Sequence, residues 1–271
     1  MNYSMQTPLK ALTIAGSDSG GCAGIQADLK TFAALGIHGM SVITTVTAQD
    51  TNRVYMSSDL PLDNIRRQIE AVLEDIGVDA IKTGILPSAE VIRVVAEQIK
   101  KFGIERVVVD PVIASTGGDL LVGEETLEIL KTELFPLATV VTPNLPEAEL
   151  LIGHEITGQQ GLQDVAQEIF ELVQQAVIVK GGHMEDPKHS TDYLYDGREL
   201  VPLVGPRLDS INTHGSGCTF ASAVASYLAQ GFNLKDAALQ AKQFVTEAIR
   251  HALVLGHGHG PLGHFWKFWG N

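Results

Sequence analysis

The stretch NTHGSGCTFASAVASYLAQG, residues 212–231, changes from a glycine-rich turn into a run of small and apolar residues. These residues recur at helical spacing, which predicts a helix that begins near Gly215. The first N–H groups of such a helix lack intrahelical acceptors and carry the positive end of the helix dipole. Because Gly215 and Gly217 have no side chains, a phosphate could approach these N–H groups closely. The stretch therefore predicts an anion site at a helix N-terminus.

Cys218 lies in the first turn of this predicted helix. A helix N-terminus lowers the pKa of a thiol and raises its reactivity, whereas an arbitrary cysteine is more often a small buried apolar residue. The Gly-Ser-Gly turn before Cys218 favours the reactive interpretation. We therefore predict a functional thiol with a lowered pKa beside the anion site.

Composition restricts the class of protein. The 271 residues are 45% hydrophobic and 19% charged, with a formal net charge of −13, which predicts one α/β domain over residues 1–271 with a substantial core. The acidic balance argues against a nucleic-acid or anionic-membrane surface, but a small anionic substrate is compatible with it. No apolar run approaches the roughly 20 residues of a membrane span, and the two distant cysteines, Cys22 and Cys218, do not indicate a disulfide framework. We expect a cytoplasmic protein.

Short apolar segments alternate with segments of helical periodicity along the chain. This alternation predicts a mostly parallel sheet with helices on both faces and a ligand site beyond the carboxyl ends of the strands. The predicted strands are residues 9–15, 40–47, 54–58, 80–83, 106–110, 140–142 and 176–180, followed by a hairpin of 193–195 and 199–204. The predicted helices, besides the one near Gly215, are one that ends at Leu35 and those at 62–76, 88–102, 124–134, 162–172 and 234–252.

Polar residues fall at the ends of these predicted strands. They are Asp18, Gln49, Lys82, Asp110, Asn144 and Lys180. The side-chain amide of Gln49 complements a ring nitrogen beside an amino group, as in adenine or an aminopyrimidine, although by itself this signal is weak. Lys180 is either a phosphate ligand or a strand-terminal lysine that reaches solvent; the glycines at 181 and 182 favour the former.

Two further segments contain residue types that bind metal ions. In TPNLPEAE, Asn144 and Glu147 suit oxygen coordination of Mg²⁺ through water, but a turn that starts a helix with an acid in its first turn is the alternative. Asp110 either joins this metal region or caps the next loop. In GHGHGP, His257 and His259 have no obvious partner ligands for zinc, so a structured glycine loop is the favoured prediction.

Neither GxxxxGK[ST] nor a GxGxxG after a strand occurs in the chain. The combined motifs nevertheless closely resemble the hydroxymethylpyrimidine/phosphomethylpyrimidine kinases of thiamin biosynthesis, members of the ribokinase-like superfamily. The resemblance covers nearly the whole chain, in order, through these segments: GSDSGGCAGIQADLKTFAALGIHG, SVITTVTAQ, DAIKTGIL, VVVDPV, VTPNLPEAELL, VIVKGGH, NTHGSGCTFASAVA and GHGHGP.

The resemblance implies a three-layer α/β/α ribokinase-like fold. It also implies ATP-dependent phosphorylation of 4-amino-5-hydroxymethyl-2-methylpyrimidine and then of its monophosphate, with Mg²⁺ as cofactor and a homodimer as the assembly. By motif it assigns the pyrimidine to Gln49, Asp28, Gly16 and Val112, the nucleotide phosphates to Lys180, Asn144, Thr213 and the Gly215–Cys218 loop, and the magnesium region to Asn144, Glu147 and Asp110. Adenine is expected along the last two helices and the loop before Asn212.

Many sugar kinases of this superfamily have an aspartate at this position, whereas this chain has Cys218 there, as the pyrimidine kinases also have a cysteine. Phosphoryl transfer needs mainly positioning and charge stabilisation, so we hypothesise that Cys218 orients or deprotonates the substrate hydroxyl. One departure is Cys22, where family members usually have glycine or another small residue. A pyridoxal or pyridoxine kinase, or a non-catalytic pyrimidine-binding protein on the same fold, are the alternative functions.

Overall fold

The computed structural model describes residues 7–113, 122–182, 186 and 188–269 of the chain. The strands in these ranges are β1 (Lys10–Asp18), β2 (His38–Gln49), β3 (Val54–Asp59), β4 (Ala80–Thr83), β5 (Val107–Val109), β6 (Val140–Val141), β7 (Ala176–Val179), β8 (His189–Tyr195) and β9 (Leu200–Pro206). They form one sheet in the order β3-β2-β1-β4-β5-β6-β7-β8-β9. The strands from β2 to β7 in this order pair in parallel, while β3 at one edge and β8 and β9 at the other are antiparallel. The predicted mostly parallel sheet is therefore confirmed.

Helices cover both faces of the sheet. They are α1 (Gly24–Ala34), α2 (Leu62–Asp75), α3 (Ala89–Phe102), α4 (Glu124–Ile129), α5 (Leu145–Ile152), α6 (Gly158–Val173), α7 (Ser216–Ala229) and α8 (Leu234–Arg250). Successive strand residues point to opposite faces, so β5 sends Val107 and Val109 into one core and Val108 into another. The first core contains residues from α2 to α6, and the second contains residues from α1, α7 and α8. The architecture is three-layered, as the resemblance implied.

Several element boundaries differ from those predicted. The hairpin strands β8 and β9 are longer than the predicted segments because their added residues pair with each other along both strands. The predicted helix at 124–134 is α4 followed by a wider π turn at Leu130–Leu134 and a 3₁₀ turn at Phe135–Leu137. Pro136 lacks an N–H group and cannot continue a regular helix. None of the helices in the described ranges combines the length and apolarity that a membrane span requires.

Parallel strands bring their carboxyl ends to one edge of the sheet, and most of the predicted polar residues lie there. Asp18 and Gln49 end β1 and β2, and Asp110, Asn144 and Lys180 lie just beyond β5, β6 and β7. Asn144 and Lys180 also form an isolated bridge that continues the pairing of β6 and β7. Lys82 differs, because it lies inside β4 and is fully buried.

Gln98 of α3 is a buried polar residue whose side chain makes no hydrogen bond within the described residues. It is 1% exposed, and neither atom of its side-chain amide has a hydrogen-bond partner among the described residues. An unsatisfied buried amide costs stability, whereas methionine has a similar shape and no such cost. We expect Gln98→Met to raise the free energy of unfolding by about 1 kcal/mol and the thermal midpoint by roughly 2–4 °C, measured by calorimetry.

Gln68 provides the matched control. Its amide accepts a hydrogen bond from the Ile43 N–H and donates to the Ile43 carbonyl and to Asn64. Gln68→Met should therefore lower the thermal midpoint. A lower midpoint for both variants would mean that the Gln98 amide is satisfied in solution.

Candidate active site

The N-terminus of α7 forms the centre of the site. Gly215 is the N-cap residue, with a φ of 84°, and a Cβ atom at this position would collide with the carbonyl oxygen of Cys22. Only glycine accommodates both the left-handed backbone and this contact. The carbonyl oxygen of Thr213 accepts a hydrogen bond from the Ser216 N–H at 3.1 Å, which closes the turn before the helix. The predicted helix start is confirmed, and Thr213 lies in this turn.

Lys180 and Asp110 lie against the first turn of α7. Lys180 Nζ donates to Asp110 Oδ1 at 2.8 Å, and the Thr142 hydroxyl donates to the same oxygen at 3.2 Å. A Cβ atom on Gly217 would lie 3.2 Å from Lys180 Nζ and 3.9 Å from Asp110 Oδ2. The absence of a side chain at Gly217 therefore leaves room for an anion between the ammonium of Lys180 and the N–H groups of the helix.

Asn144 and Glu147 form the N-terminal cap of α5. The Asn144 side chain accepts from the Glu147 N–H at 2.9 Å, and the Glu147 carboxylate accepts from the Asn144 N–H at 2.8 Å. This capping box is the helix-starting alternative left open by the sequence. The Asn144 oxygen thus accepts a backbone hydrogen bond, and the expectation that Asn144 and Glu147 coordinate Mg²⁺ through water stays a prediction. Glu147 is 2% exposed, and burial raises its pKa to about 7, with Lys180 opposing the shift and Asp110 adding to it.

The fit of Mg²⁺ to this region depends on Asp110 and Glu147. Among the described residues, no group of three or more His, Cys, Asp or Glu side chains is arranged to hold a metal ion. Mg²⁺ retains several waters and binds through one or two carboxylates together with substrate phosphates. The pair of neighbouring carboxylates beside Lys180 suits that mode, whereas an ion held by protein groups alone would not fit here.

Gln49 lies beside the first glycine-rich turn. Its amide nitrogen donates to His214 Nε2 at 2.9 Å, and the Thr47 hydroxyl donates to its amide oxygen at 3.2 Å. The carboxylate of Asp18 lies 3.9 Å from the same His214 nitrogen. Burial and the nearby His259 lower the pKa of His214, against the effect of Asp18, and a ring nitrogen that accepts from the Gln49 amide carries no proton. Gln49 thus has a neutral polar partner and lies next to the turn before α7.

Sequence reasoning missed the role of His214, and it named Asp18 as a strand-end residue without predicting what its carboxylate holds. His214 is within the quoted 212–231 stretch but was assigned no role, and its proximity to Gln49 depends on a sequence separation of 165 residues. Asp18 organises the turn that follows β1, because its carboxylate accepts from the N–H groups of Gly20, Cys22 and Ala23 at 2.8 Å each. The aspartate followed by closely spaced glycines was the available signal for this turn. Cys22 itself is buried within the turn.

Asp28 is placed differently from the expectation. It is 0% exposed, and its carboxylate accepts hydrogen bonds from Thr13, Lys82 and Ser222 at 2.6, 3.0 and 2.7 Å. Both oxygens are occupied inside the second core, so direct contact with a pyrimidine is corrected to an indirect role. The sequence pattern could not show this, because all three partners lie on other elements.

Packing restricts position 16 to glycine, and Val112 has a strained backbone. A Cβ atom on Gly16 would approach Ile85 Cγ2 to 2.7 Å and Thr45 Cγ2 to 2.9 Å, so packing already requires glycine there. Val112 follows β5 with a φ of 40°, a conformation that β-branched residues rarely adopt. Backbone strain of this kind is concentrated at functional sites, which keeps Val112 a candidate for substrate contact.

Cys218 lies in the first turn of α7, as predicted, but the expected lowering of its pKa is wrong. Burial raises the pKa of the thiol to about 11; Lys82 opposes this shift, and Asp28 and Asp110 add to it. The Gly24 N–H at the start of α1 also faces the sulfur and favours the thiolate. Loss of hydration outweighs the helix end and the nearby lysine, so the thiol is neutral at pH 7.

The glycine loop at 256–261 supports the rim of the site. The N–H groups of His257 and Gly258 donate to the Thr51 hydroxyl, and the His259 N–H donates to the Thr51 carbonyl. The His259 Nδ1 lies 2.8 Å from the Ile211 carbonyl oxygen. The favoured prediction of a structured loop is confirmed, and it ties the turn after β2 to the segment before α7.

Comparison with known proteins gives a consistent result. The model of the family described as phosphomethylpyrimidine kinase matches residues 18–263. The chain is 46% identical over 256 residues to the hydroxymethylpyrimidine/phosphomethylpyrimidine kinase of Bacillus subtilis, with 94% of each chain covered. It is 48% identical to the thiamine biosynthesis bifunctional protein ThiED of Geobacter sulfurreducens over 93% of this chain and 51% of that protein, and so spans about half of its length.

The chain is also similar to proteins of known structure. The pyridoxal kinase from Staphylococcus aureus, in complex with AMP-PCP and pyridoxal, superimposes with a TM-score of 0.89 at 37% sequence identity, covering 97% of this chain and 96% of that one. The similarity therefore extends over the sheet, both helical layers and the edge where Gln49, Lys180 and Cys218 lie.

Proposed function

The chain belongs to the phosphomethylpyrimidine kinase family, and from that membership we propose its reaction and the roles of its residues. It is a phosphotransferase that moves the terminal phosphoryl group of ATP to 4-amino-5-hydroxymethyl-2-methylpyrimidine, and then phosphorylates the monophosphate to the diphosphate, in thiamin biosynthesis. The observation that carries the proposal is the convergence at one sheet edge of the α7 N-terminus, Lys180 and Cys218 with Gln49. A protein that only bound the ring would not need the first three.

The ring is recognised on the Gln49 side of the site. The Gln49 amide presents a donor and an acceptor side by side, which complements an amino group beside a ring nitrogen. His214 accepts from the amide nitrogen at 2.9 Å and so orients the amide. Val112 contacts the ring from beyond β5, and Gly16 contacts it through its backbone, because Ile85 and Thr45 already fill the place of a Gly16 side chain.

The phosphates are held on the other side of the site. The N–H groups at residues 215–218 and the ammonium of Lys180 stabilise the charge on the transferring phosphoryl group. Asp110 and Glu147 would hold Mg²⁺ through its waters, and the ion would supply charge neutralisation to the nucleotide phosphates. Adenine occupies a shallow cavity lined by Leu208, Asp209, Ser210, Asn212, Ile249, Arg250 and Ala252.

Transfer forms a bond between the substrate hydroxyl oxygen and the γ-phosphorus, the bond from that phosphorus to the bridging oxygen breaks as ADP leaves, and the hydroxyl proton passes late in the step to an oxygen of the transferred phosphoryl group. In a loose transition state the hydroxyl needs little deprotonation before attack. A thiol that is neutral at pH 7 orients this hydroxyl by hydrogen bonding, so of the two roles hypothesised for Cys218 the raised pKa favours orientation.

Substitution of Cys218 tests this role. We expect Cys218→Ala to lower kcat by up to about 100-fold, because a misplaced nucleophile loses its alignment with the phosphoryl group. Cys218→Ser retains a hydrogen-bonding group and should recover part of the rate. Steady-state kinetics with circular dichroism as a check on folding measures both. Near-normal turnover of a folded Cys218→Ala protein would contradict the role.

A pyridoxal kinase is the second candidate, because the structure from Staphylococcus aureus cited above is a pyridoxal kinase in complex with pyridoxal. Steady-state kinetics with the aminopyrimidine alcohol and with pyridoxal distinguishes the two candidate functions. We expect the larger kcat/KM for the aminopyrimidine, and a much larger value for pyridoxal would overturn the substrate assignment. Tight ring binding without transfer from Mg-ATP to either alcohol would indicate a binding protein.

Three further assignments belong to the proposal: a single kinase domain over residues 1–271, a homodimer and a cytoplasmic location. One sheet joins β1 to β9, which supports the first. The edge strand β3 exposes Val54, Tyr55 and Met56, and an exposed apolar edge strand is a suitable surface for a second copy. The free thiols suit a reducing compartment.

A further inference from the structure

His214 lies between the turn after β1 and the end of β2. The next residue, Gly215, packs closely against the turn after β1. An isolated bridge also pairs His214 with Pro261, at the end of the glycine loop. The backbone at His214 is therefore held from two sides, and its imidazole lies at the edge of the sheet between Asp18 and Gln49.

The backbone of Gln49 is fixed independently of its side chain. The Ser19 hydroxyl accepts from the Gln49 N–H at 2.8 Å and donates to the Gln49 carbonyl at 2.9 Å. The side-chain amide is then left with one choice, which of its two ends faces His214 and which faces Thr47. The ends differ chemically, because the nitrogen only donates and the oxygen only accepts. This choice decides the order in which the amide presents a donor and an acceptor to a ring.

Thr47 does not decide this order. Its hydroxyl lies 3.2 Å from the amide oxygen of Gln49 and 3.0 Å from the carbonyl oxygen of Ser17. A hydroxyl carries one proton and can also accept a hydrogen bond. It can donate to Gln49, or it can donate to Ser17 and accept from Gln49. Either end of the amide therefore finds a partner at Thr47.

His214 does decide the order. Its Nε2 lies 2.9 Å from the amide nitrogen of Gln49, and a ring nitrogen that faces an amide NH₂ group must accept. The carboxylate of Asp18 does not compete for this nitrogen. Asp18 Oδ2 lies 3.9 Å from Nε2, beyond hydrogen-bonding distance, and already accepts from the N–H groups of Cys22 and Ala23 at 2.8 Å each. The contact with His214 thus holds the amide in one of its two orientations.

We propose that His214 sets the ring specificity of the site by fixing the amide of Gln49 in this orientation. The site then selects a ring with an amino donor beside an acceptor nitrogen and disfavours a ring with an N–H donor beside a carbonyl acceptor. A 4-aminopyrimidine has the first edge, and its 4-oxo analogue has the second. The inference rests on the proposed function, because it assigns Gln49 to the ring. His214 acts through Gln49 and is a positioning residue.

Protonation of His214 should weaken this preference. An imidazolium donates from both nitrogens, so the oxygen of the Gln49 amide would turn toward it. Among the described residues, the titratable groups that face His214 are Asp18, at the end of β1, and His259, in the glycine loop. Burial and His259 lower the pKa of His214 from its ordinary value of about 6.5, against the effect of Asp18. The preference for the amino ring is therefore present at pH 7 and is lost as the pH falls through the pKa of His214.

Calorimetric titration of the full-length protein tests the proposal, with the 4-aminopyrimidine alcohol and its 4-oxo analogue as ligands and no nucleotide. We expect the wild type to bind the amino ring about 10- to 100-fold more tightly, the discrimination typical of one bidentate contact. His214→Gln retains a hydrogen-bonding group that can either donate or accept, so the ratio of the two dissociation constants should fall toward one. His214→Phe, which has no such group, should show the same loss of discrimination.

Thr47→Val is the matched control, because it removes the other partner of the same amide at nearly constant size. It should weaken the binding of both rings and leave their ratio at the wild-type value. In a second comparison, the wild-type ratio should fall more steeply than that of His214→Gln as the pH is lowered from about 7 to about 5. Protonation of the ring in solution is the same for both proteins and cancels in this comparison.

A wild-type ratio in both folded His214 variants would overturn the inference, and so would an equal loss of the ratio in Thr47→Val. A merely structural role of His214 would weaken the two rings to the same extent. Kinase activity is measured separately. A protein that distinguishes the rings but transfers no phosphate would refute the proposed reaction and leave the role of His214 standing. An active kinase whose ring preference does not depend on position 214 would refute only that role.

Discussion

Replacing Lys180 by methionine is expected to lower kcat by about 10²- to 10³-fold, the usual loss when one preorganised group that stabilises transition-state charge is removed. The ammonium lies beside the first turn of α7, 3.2 Å from the point where a Gly217 Cβ would be. Methionine retains most of the volume but no charge, so the transferring phosphoryl group loses a cation in a site that is partly shielded from water. Steady-state kinetics with ATP and the pyrimidine alcohol measures the effect.

Lys242→Met is the matched control for Lys180→Met. Lys242 also pairs with a buried carboxylate, that of Asp192, at 2.8 Å, but its ammonium donates to Ser190 and Asp192 of β8 rather than lying against the first turn of α7. Both variants leave a carboxylate without its cation, and we expect a comparable loss of thermal stability. If the kcat of the two variants fell equally, the loss at Lys180 would be attributable to stability rather than to phosphate binding.

Gly217→Ala is expected to lower activity without lowering the stability of the protein. Gly217 is inside α7 and does not have the left-handed backbone of Gly215, so alanine should stabilise the helix by up to about 1 kcal/mol. The added methyl group would fill the space between the helix N–H groups and Lys180 Nζ. We expect kcat/KM for ATP to fall by about 100-fold or more, as when a donor to the developing charge is lost.

Gly161→Ala in the early part of α6 is the control for the effect of a glycine-to-alanine change on helix stability. A Cβ atom there would meet Ile156 Cγ2 at 3.4 Å, an ordinary contact, and α6 contributes no residue to the site described above. Calorimetry should show both alanine variants at least as stable as the wild type, and only Gly217→Ala should lose activity. An unchanged kcat/KM in Gly217→Ala would mean that phosphate does not approach this turn.

Two sites show where reasoning from sequence patterns ends. The Asn144–Glu147 spacing suits both a metal region and a capping box, and local sequence cannot choose, since both need an amide and a carboxylate three residues apart. The family resemblance assigned Asp28 to the pyrimidine. Its side chain points into the core because α1 packs on the sheet with that face, where Lys82 and Ser222 meet it.

The prediction of a lowered pKa for Cys218 was wrong for a related reason. A helix N-terminus was visible in residues 212–231, and its effect on a thiol is a local one. The opposing effects of burial, Asp28 and Asp110 come from distant parts of the chain. His214 was missed as a partner of Gln49 in the same way, because 165 residues separate the two.

Sequence alone determined the alternation of strands and helices, the parallel sheet, the start of α7 and the set of polar residues at the strand ends. These features follow from periodicity and from glycine positions, which are properties of neighbouring residues. Tertiary structure decided which of those polar residues are buried, which are satisfied by one another and what charge each carries. Burial and pairing depend on contacts between residues far apart in the chain, and the free energy of a charge depends on how much water remains around it.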